Sequence, residues 1–300
     1  MFGINSFPLF RRITNRYMAA PTDPPNAIAQ VLGFYDKHPI AADQILDKVA
    51  AERGSLDGLR PADLYPHDQD HYGGLAANDA LHARAQIREG VRVLDLCAGL
   101  SGPARYCAAE RSAQVTALEL NPGRAAGAER LNELTGMAER VRVVRGDAQA
   151  LPFEDAAFDA VLGQEAFLHI PDKRALFAEA HRVLAPGGRI AFTDWIAKPG
   201  LSEKDRTALR SGIAAVGIET IEGYRALLAG AGFQAIEAED LSEEWAPILR
   251  ERLAMYERLR EEAKAPDGHD PHAGYVAVYR YFVDLVSGGA LGGGRFSATK

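Results

Sequence analysis

Between Val91 and Trp195, short and almost wholly apolar runs alternate with segments long enough for a helix, and that rhythm limits the folds open to this chain more than any other feature. The runs are VRVLDL, AQVTALEL, RVRVVRGD, FDAVLGQ and GRIAFTDW, and among them stand GPARYCAAERS, NPGRAAGAERLNELTGM and DKRALFAEAHRVLAPGG. Runs apolar at nearly every position belong to strands covered on both faces. Strands alternating with helices predict an α/β fold of parallel strands and crossover helices. Pro186-Gly187-Gly188 reads as the stop of the third helix, just before the fifth strand.

Beyond Trp195 the rhythm changes: a helix is expected near IEGYRALLAGAGF and a strand near QAIEAEDL. In APILRERLAMYERLREEAK, Leu249, Leu253, Tyr256 and Leu259 recur at three and four residues and form one apolar helical stripe for a core or an interface. The tail GGALGGGRFSATK reads as a glycine-rich loop and a short last strand. Upstream, NAIAQVLGFYDKH and AADQILDKVAAERG look like two helices joined through His38-Pro39, preceded by the proline-rich APTDPPN. A chain of 300 residues is long enough for a core plus an appended cap. The expected division is an N-terminal arm over 1–25, a helical cap over 26–88, and an α/β domain over 89–300 with a helical insertion around 243–287.

Composition narrows the function. Net charge is −7 and no long Lys/Arg run occurs, which argues against a nucleic-acid partner. Cys97 and Cys107 are the only cysteines and lie ten residues apart, so no disulfide framework is indicated and a reducing, cytoplasmic setting is expected. No apolar run reaches the ~20 residues that span a bilayer, so no membrane partner is expected. FPLFRRITNRYMAAPTDPPN places Arg11, Arg12 and Arg16 before any acid, as a transit peptide or a docking arm would.

A strand, a small-residue turn and a helix N-terminus bring backbone N–H groups to a polar ligand. CAGLSG, Cys97 to Gly102, has that form and half-matches the dinucleotide pattern G-x-G-x-x-G, with cysteine for the first glycine. Glu119 ends the second strand, where a ribose diol would lie, and GDAQALPF then places Asp147 beside an adenine. The latter element is atypical of nicotinamide enzymes. From Val91 to Trp195 the chain resembles the class I S-adenosylmethionine-dependent methyltransferases of the small-molecule branch. The likeness runs from Asp95-Leu96-Cys97-Ala98-Gly99-Leu100-Ser101-Gly102-Pro103-Ala104-Arg105-Tyr106 through VTALELNP, VRVVRGDAQALPFEDAAFDAV, GQEAFLHIPDK and RVLAPGGRIAFTDW.

The resemblance implies a Rossmann-like class I fold with a seven-stranded, mostly parallel sheet, helices on both faces and the helical cap. It also implies S-adenosyl-L-methionine as cofactor, with no metal. Carried over residue by residue, cofactor contacts fall to Asp95, Ala98 and Gly99, to Glu119 and Leu120, to Asp147 and Ala148, and to Gln164. Tyr72, followed by Gly73-Gly74, matches an aromatic-glycine element that closes over the cofactor in relatives. The loop GQEAFLH lies where such sheets bind ligands. His169 there is a candidate base, or else positions and caps, and Glu165 is a candidate catalytic or substrate-pairing acid. GQEAFLHIPDK and FTDW resemble the glycine, sarcosine and dimethylglycine N-methyltransferases and natural-product C- and O-methyltransferases.

Two departures stand in the turn. Cys97 must take a negative φ or store strain, and Ser101 can cap a helix whose first turn holds Pro103. Cys97 is expected to pack, although a helix N-terminus could lower a thiol pKa and suit it to redox chemistry. His67, Asp68, Asp70 and His71 superficially suggest a metal site, and DGHDPHAGY reads as a surface loop or the lip of a pocket. Tyr35, Tyr72, Tyr275 and Tyr279 could bring ring faces to a sulfonium. The expected reaction is in-line methyl transfer to a small-molecule acceptor, with N-methylation of an amine or amino acid favoured over O- or C-methylation; a homodimer is allowed. A nicotinamide oxidoreductase and a noncatalytic cofactor-binding protein are the readings from other classes.

Overall fold

The computed structural model describes residues 24–36, 40–263 and 273–300. Nearly all of the expected arm, the His38-Pro39 junction and most of DGHDPHAGY lie outside the described residues.

The alternation produces β1 (Arg92–Leu96), α5 (Gly102–Arg111), β2 (Gln114–Glu119), α6 (Pro122–Leu134), β3 (Val141–Arg145), β4 (Phe158–Gln164), α7 (Lys173–Val183) and β5 (Leu184–Ala197). They are preceded by α1 (Pro24–Tyr35), α2 (Ala42–Arg53), α3 (Pro61–Asp68) and α4 (Gly74–Arg84). α8 (Glu203–Ile213), α9 (Ile221–Gly230), β6 (Gln234–Asp240), α10 (Ser242–Ala263), α11 (Ala273–Ser287) and β7 (Leu291–Thr299) follow.

Among the described residues the strands form one seven-stranded sheet in the order β3-β2-β1-β4-β5-β7-β6. β1 to β5 pair in parallel, and β7 lies antiparallel between β5 and β6. Both faces are covered, which explains the continuous apolar runs: Leu94, Leu96 and Val161 meet Phe177 and Phe192 on one side, while Val93, Val115 and Ala117 meet Leu81 and Cys107 on the other. The strand order reverses at β1, where Asp95 pairs with both Ala117 and Leu162. The loops after β1 and β4 therefore leave the sheet side by side, opening the crevice where such folds take ligands.

Local signals set the helix starts. Asn121 caps α6, its side chain accepting from Arg124 N, with Pro122 in the first turn. Asp172 caps α7 by accepting from Arg174 N and Ala175 N, and Ser202 caps α8 with Asp205 returning a bond to Ser202 N. The cap packs Ile45, Leu46, Val49 and Leu64 against Leu100 of the turn after β1 and Leu131 of α6, so it is seated on the ligand crevice.

Several expectations change. α7 ends at Val183, and Pro186-Gly187-Gly188 lies inside β5 rather than closing the helix. Of the tail glycines only Gly288 and Gly289 form a turn: Gly292, Gly293 and Gly294 lie in the first half of β7, paired with Ile196, Trp195 and Asp194. A β-carbon on Gly293 would overlap the Trp245 ring and one on Gly292 would overlap the Ser242 side chain, so α10 packs directly on bare backbone. Leu249 of the α10 stripe is buried and Leu253 and Tyr256 pack beside it; the side chain of Leu259 lies outside the described residues. α3 and α4 carry no strong apolar period, and they and the amphipathic α8 are visible only in the structure. No helix among the described residues is long and apolar enough to cross a membrane.

Candidate active site

The turn after β1 is built from strained backbone. Cys97, Gly99 and Ser101 have φ of 58°, 55° and 59°, in the left-handed region. A side chain there costs about 1–2 kcal/mol per residue, so Cys97 stores strain instead of taking a negative φ. Ser101 occupies the cap position of α5, but its left-handed backbone leaves its hydroxyl without a capping bond, contrary to expectation. The turn is fixed from outside instead. Ala98 N donates to Leu118 O at 2.9 Å, and Gly99 N donates to Glu119 Oε2 at 2.8 Å. Gly102 is the tightest point, because a β-carbon there would overlap Asp68 O of α3.

Asp68 is also half of a buried ion pair with Arg105, 3.0 Å apart, and Arg105 reaches Asn132 of α6 at 2.9 Å. Arg105 thus joins α3, α5 and α6 behind the turn. The remaining members of the suspected metal cluster disperse: His67 meets Glu52, Asp70 meets Arg124 at 3.4 Å, and His71 Nε2 meets Gln69 at 3.0 Å. Burial pushes the His71 pKa down to about 4. Among the described residues no group of three or more His, Cys, Asp or Glu could hold a metal ion.

One cavity collects most of the residues singled out in the sequence. Asp95, Ala98, Gly99, Glu119, Leu120, Asp147, Ala148 and Gln164 line it, and so do Glu165 and His169. Glu119 is fixed at the end of β2, its Oε1 accepting from Asn121 N at 2.7 Å while Oε2 accepts from Gly99 N. Asp147 accepts from Gln149 N at 2.9 Å, which orients the adjoining Ala148 backbone. Asp95 is buried, and burial followed by the Glu119 charge raises its pKa to about 7. Its Oδ2 and the Gln164 Nε2 are buried side-chain atoms with no protein partner, so the row retains an acceptor and a donor for a polar ligand. Burial drives the Cys97 thiol pKa well up, opposing a thiolate role.

Two residues differ from expectation in place or partner. Tyr72 does not line this cavity: its ring is buried against Trp245 at 4.9 Å and Trp195 at 5.4 Å, with Arg252 4.7 Å over its face. Apolar packing claims the ring, and only its backbone N–H reaches the site, donating to Glu165 Oε2 at 2.9 Å. Glu165 Oε1 accepts from Thr193 at 2.6 Å, and burial raises the Glu165 pKa to about 7. Tyr275 and Tyr279 meet Tyr256 edge to face, away from the cavity.

Of the four tyrosines it is Tyr35 that lines the cavity. α1 contributes Ile28, Val31, Leu32 and Tyr35 to the wall. Asn121 Nδ2 donates to Asp36 at 2.8 Å, and Arg124 sits 4.9 Å over the Tyr35 ring while donating to Ile40 O at 3.3 Å. A β-carbon on Gly99 would come within 2.8 Å of Arg124 Nη2, so that glycine also makes room for Arg124. His169 stands in a short 3₁₀ turn, Phe167–His169, with Nδ1 3.0 Å from Ala214 O and Nε2 3.0 Å from the Tyr35 hydroxyl. A carbonyl can only accept, so Nδ1 carries the proton and Nε2 accepts from Tyr35. Asn121, Arg124 and the α1 wall went unnoticed in the sequence; Asn-Pro-Gly-Arg at a helix start signals a cap but not what the arginine covers.

The family described as "Methyltransferase domain" matches residues 94–192. The 27-O-demethylrifamycin SV methyltransferase of Amycolatopsis mediterranei is 32% identical over 191 residues, covering 62% of this chain and 69% of that protein. The chain belongs to the S-adenosylmethionine-dependent methyltransferases. The glycine/sarcosine/dimethylglycine N-methyltransferase of Actinopolyspora halophila is 31% identical over 70% of this chain, but the match spans only 37% of that longer protein. A solved phosphoethanolamine N-methyltransferase 2 of Haemonchus contortus, in complex with S-adenosyl-L-methionine, superposes with a TM-score of 0.67. It is 26% identical and the match covers 76% of this chain and 53% of that one. A cyclopropane synthase from Mycobacterium tuberculosis shares the fold, with a TM-score of 0.71 at 17% identity over 94% of this chain and 99% of that one.

The cavity suits the family's cofactor. S-adenosylmethionine needs an acceptor for its ribose hydroxyls, a polar edge for adenine and an anionic setting for its cationic end. Glu119, the Asp147-Ala148 pair, and Asp95 with Gln164 line the cavity and are groups of those kinds.

Proposed function

We propose that the chain transfers the methyl group of S-adenosylmethionine to a small-molecule acceptor by in-line displacement, with an amine or amino acid as the favoured acceptor. The observation that carries this reading is that His169 and Tyr35 open onto the same cavity as Asp95, Glu119 and Gln164. An acceptor-side base and a donor-side row of polar groups therefore share one enclosure. The cofactor, when bound, supplies a methyl group already activated on a cationic sulfur.

The chain's own work is binding, orientation and exclusion of water. In this reading Glu119 takes the ribose hydroxyls, Asp147 and Ala148 border adenine, and Asp95 and Gln164 face the methionyl end. α1 closes the other side with Ile28, Val31 and Leu32. Alignment of this kind contributes on the order of 7–11 kcal/mol. His169 Nε2, its lone pair directed at the Tyr35 hydroxyl, takes the acceptor proton either directly or through that hydroxyl. Glu165 is a positioning residue, holding Tyr72 N and Thr193 through its two oxygens.

A second reading, O-methylation, draws on the same pair, because a hydroxyl acceptor needs a base more than a neutral amine does. A cytoplasmic setting without nucleic-acid partners belongs to the same proposal, and a homodimer is compatible with it.

The test is a methyl-labelled donor presented with amines, amino acids and phenolic acids, using the unaltered chain, His169→Ala and Tyr35→Phe. Transfer to one acceptor class, reduced about 10²–10⁴-fold in His169→Ala, is expected. Tight donor binding with no transfer to any acceptor would favour the noncatalytic reading, and full activity in His169→Ala would remove the base.

A further inference from the structure

Lys173, the first residue of α7, is a buried cation outside the cavity. Its Nζ donates to Ile170 O at 3.2 Å, just past the turn that bears His169, and to Gly217 O at 2.7 Å in the segment 214–218. Gly217 N in turn donates to Leu168 O at 3.0 Å. Ala214, at the start of that segment, supplies the carbonyl that accepts from His169 Nδ1 at 3.0 Å. The opposite charges that act on the ammonium are Asp194, itself bonded to the Tyr224 hydroxyl, and Glu219. Burying an ammonium costs several kcal/mol before pairing, and an apolar side chain would fill the same volume without that cost. What an apolar side chain lacks is donors. An ammonium has three of them and can join two carbonyls from different segments at once.

We propose that Lys173 is a positioning residue that pins segment 214–218 to the Phe167–His169 turn, keeping Ala214 O on His169 Nδ1 and so fixing the ring tautomer that presents Nε2 to Tyr35 and the acceptor. Gly217 is part of the device. A β-carbon there would stand 2.9 Å from Lys173 Nζ, so an alanine would push the ammonium aside from the carbonyl it holds. The proposal rests on the reading of His169 as the acceptor-side base for its functional meaning, but its structural content can be measured without any acceptor.

The measurement is the ¹⁵N spectrum of the His169 ring, in the full chain, at a pH where imidazole is neutral. In the unaltered chain Nδ1 should give the protonated signature and Nε2 the unprotonated one. Lys173→Met is expected to lower the ratio of the Nδ1–H to the Nε2–H form roughly tenfold, the scale of one lost hydrogen bond, while donor affinity stays within about twofold. Gly217→Ala, which leaves the charge in place and displaces it, should shift the ratio in the same direction and decides the matter if Lys173→Met does not fold. An unchanged ring signature in a folded Lys173→Met chain, or in Gly217→Ala, would overturn the proposal and make Lys173 a purely structural cation. Loss of the base reading is a separate event, seen as undiminished methyl transfer by His169→Ala with the ring shifts of the Lys173 variant intact.

Discussion

At Gly102 a single β-carbon decides whether α3 can seat on the turn after β1, because it would occupy the space of Asp68 O. Gly102→Ala is therefore expected to lower stability by about 3 kcal/mol, measured by urea unfolding. Cys97→Gly should leave stability within about 1 kcal/mol of the original, since relief of its left-handed φ offsets the added chain entropy. Gly99→Val, by contrast, should abolish donor binding through both its φ of 55° and the Arg124 guanidinium. Titration gives a second residue-level outcome. Asp95, Glu165 and Asp194 each have a pKa raised to about 7, chiefly by burial. Between the ordinary carboxylate range and that value the folded chain holds protons that the unfolded chain has released, so stability falls as pH rises through this window. Urea midpoints should drop from about pH 5 to about pH 7.5, and Asp95→Asn should flatten the drop. A slope unchanged in Asp95→Asn would contradict the assignment. The residues of the cavity row were legible because their motifs follow in order along the chain, whereas the pressure on Gly102 comes from Asp68, which no local pattern connects to it.

At the level of elements, β1 to β5 were legible since burial on both faces makes each a continuous apolar run. β7 was legible only in part: a short last strand was expected, but glycine disfavours strands, and only the Trp245 and Ser242 side chains of α10 explain why bare backbone runs through its first half. Gly293→Val should drive Trp245 out of the sheet face and lower the melting temperature by at least about 5 °C; a melting temperature within a degree of the original would mean that α10 does not pack as described. α8 begins with a reciprocal Ser202–Asp205 cap that stood in the sequence as Ser-Glu-Lys-Asp, but the Leu209 and Ile213 stripe behind it is short and the signal passed unread. α1 was anticipated as a cap helix, yet its role over the cavity depends on Asn121–Asp36, Arg124–Tyr35 and Tyr35–His169, all contacts between distant segments.

For the molecule as a whole, the sheet reversal at β1 opens a crevice, the cap seats on it through Leu100 and the Asp68–Arg105 pair, and α1 adds an apolar part of its wall. Family membership supplies the cofactor class, and the proposed contacts are cavity-lining residues of the kinds it needs. The direct measurement is a calorimetric titration of the chain and of Glu119→Ala with S-adenosylmethionine and, separately, with NADH. Saturable binding of the methyl donor that weakens at least about tenfold in Glu119→Ala, with none for NADH, is the expected result. Donor binding untouched by Glu119→Ala, or tight NADH binding in its place, would contradict the assignment of this cavity.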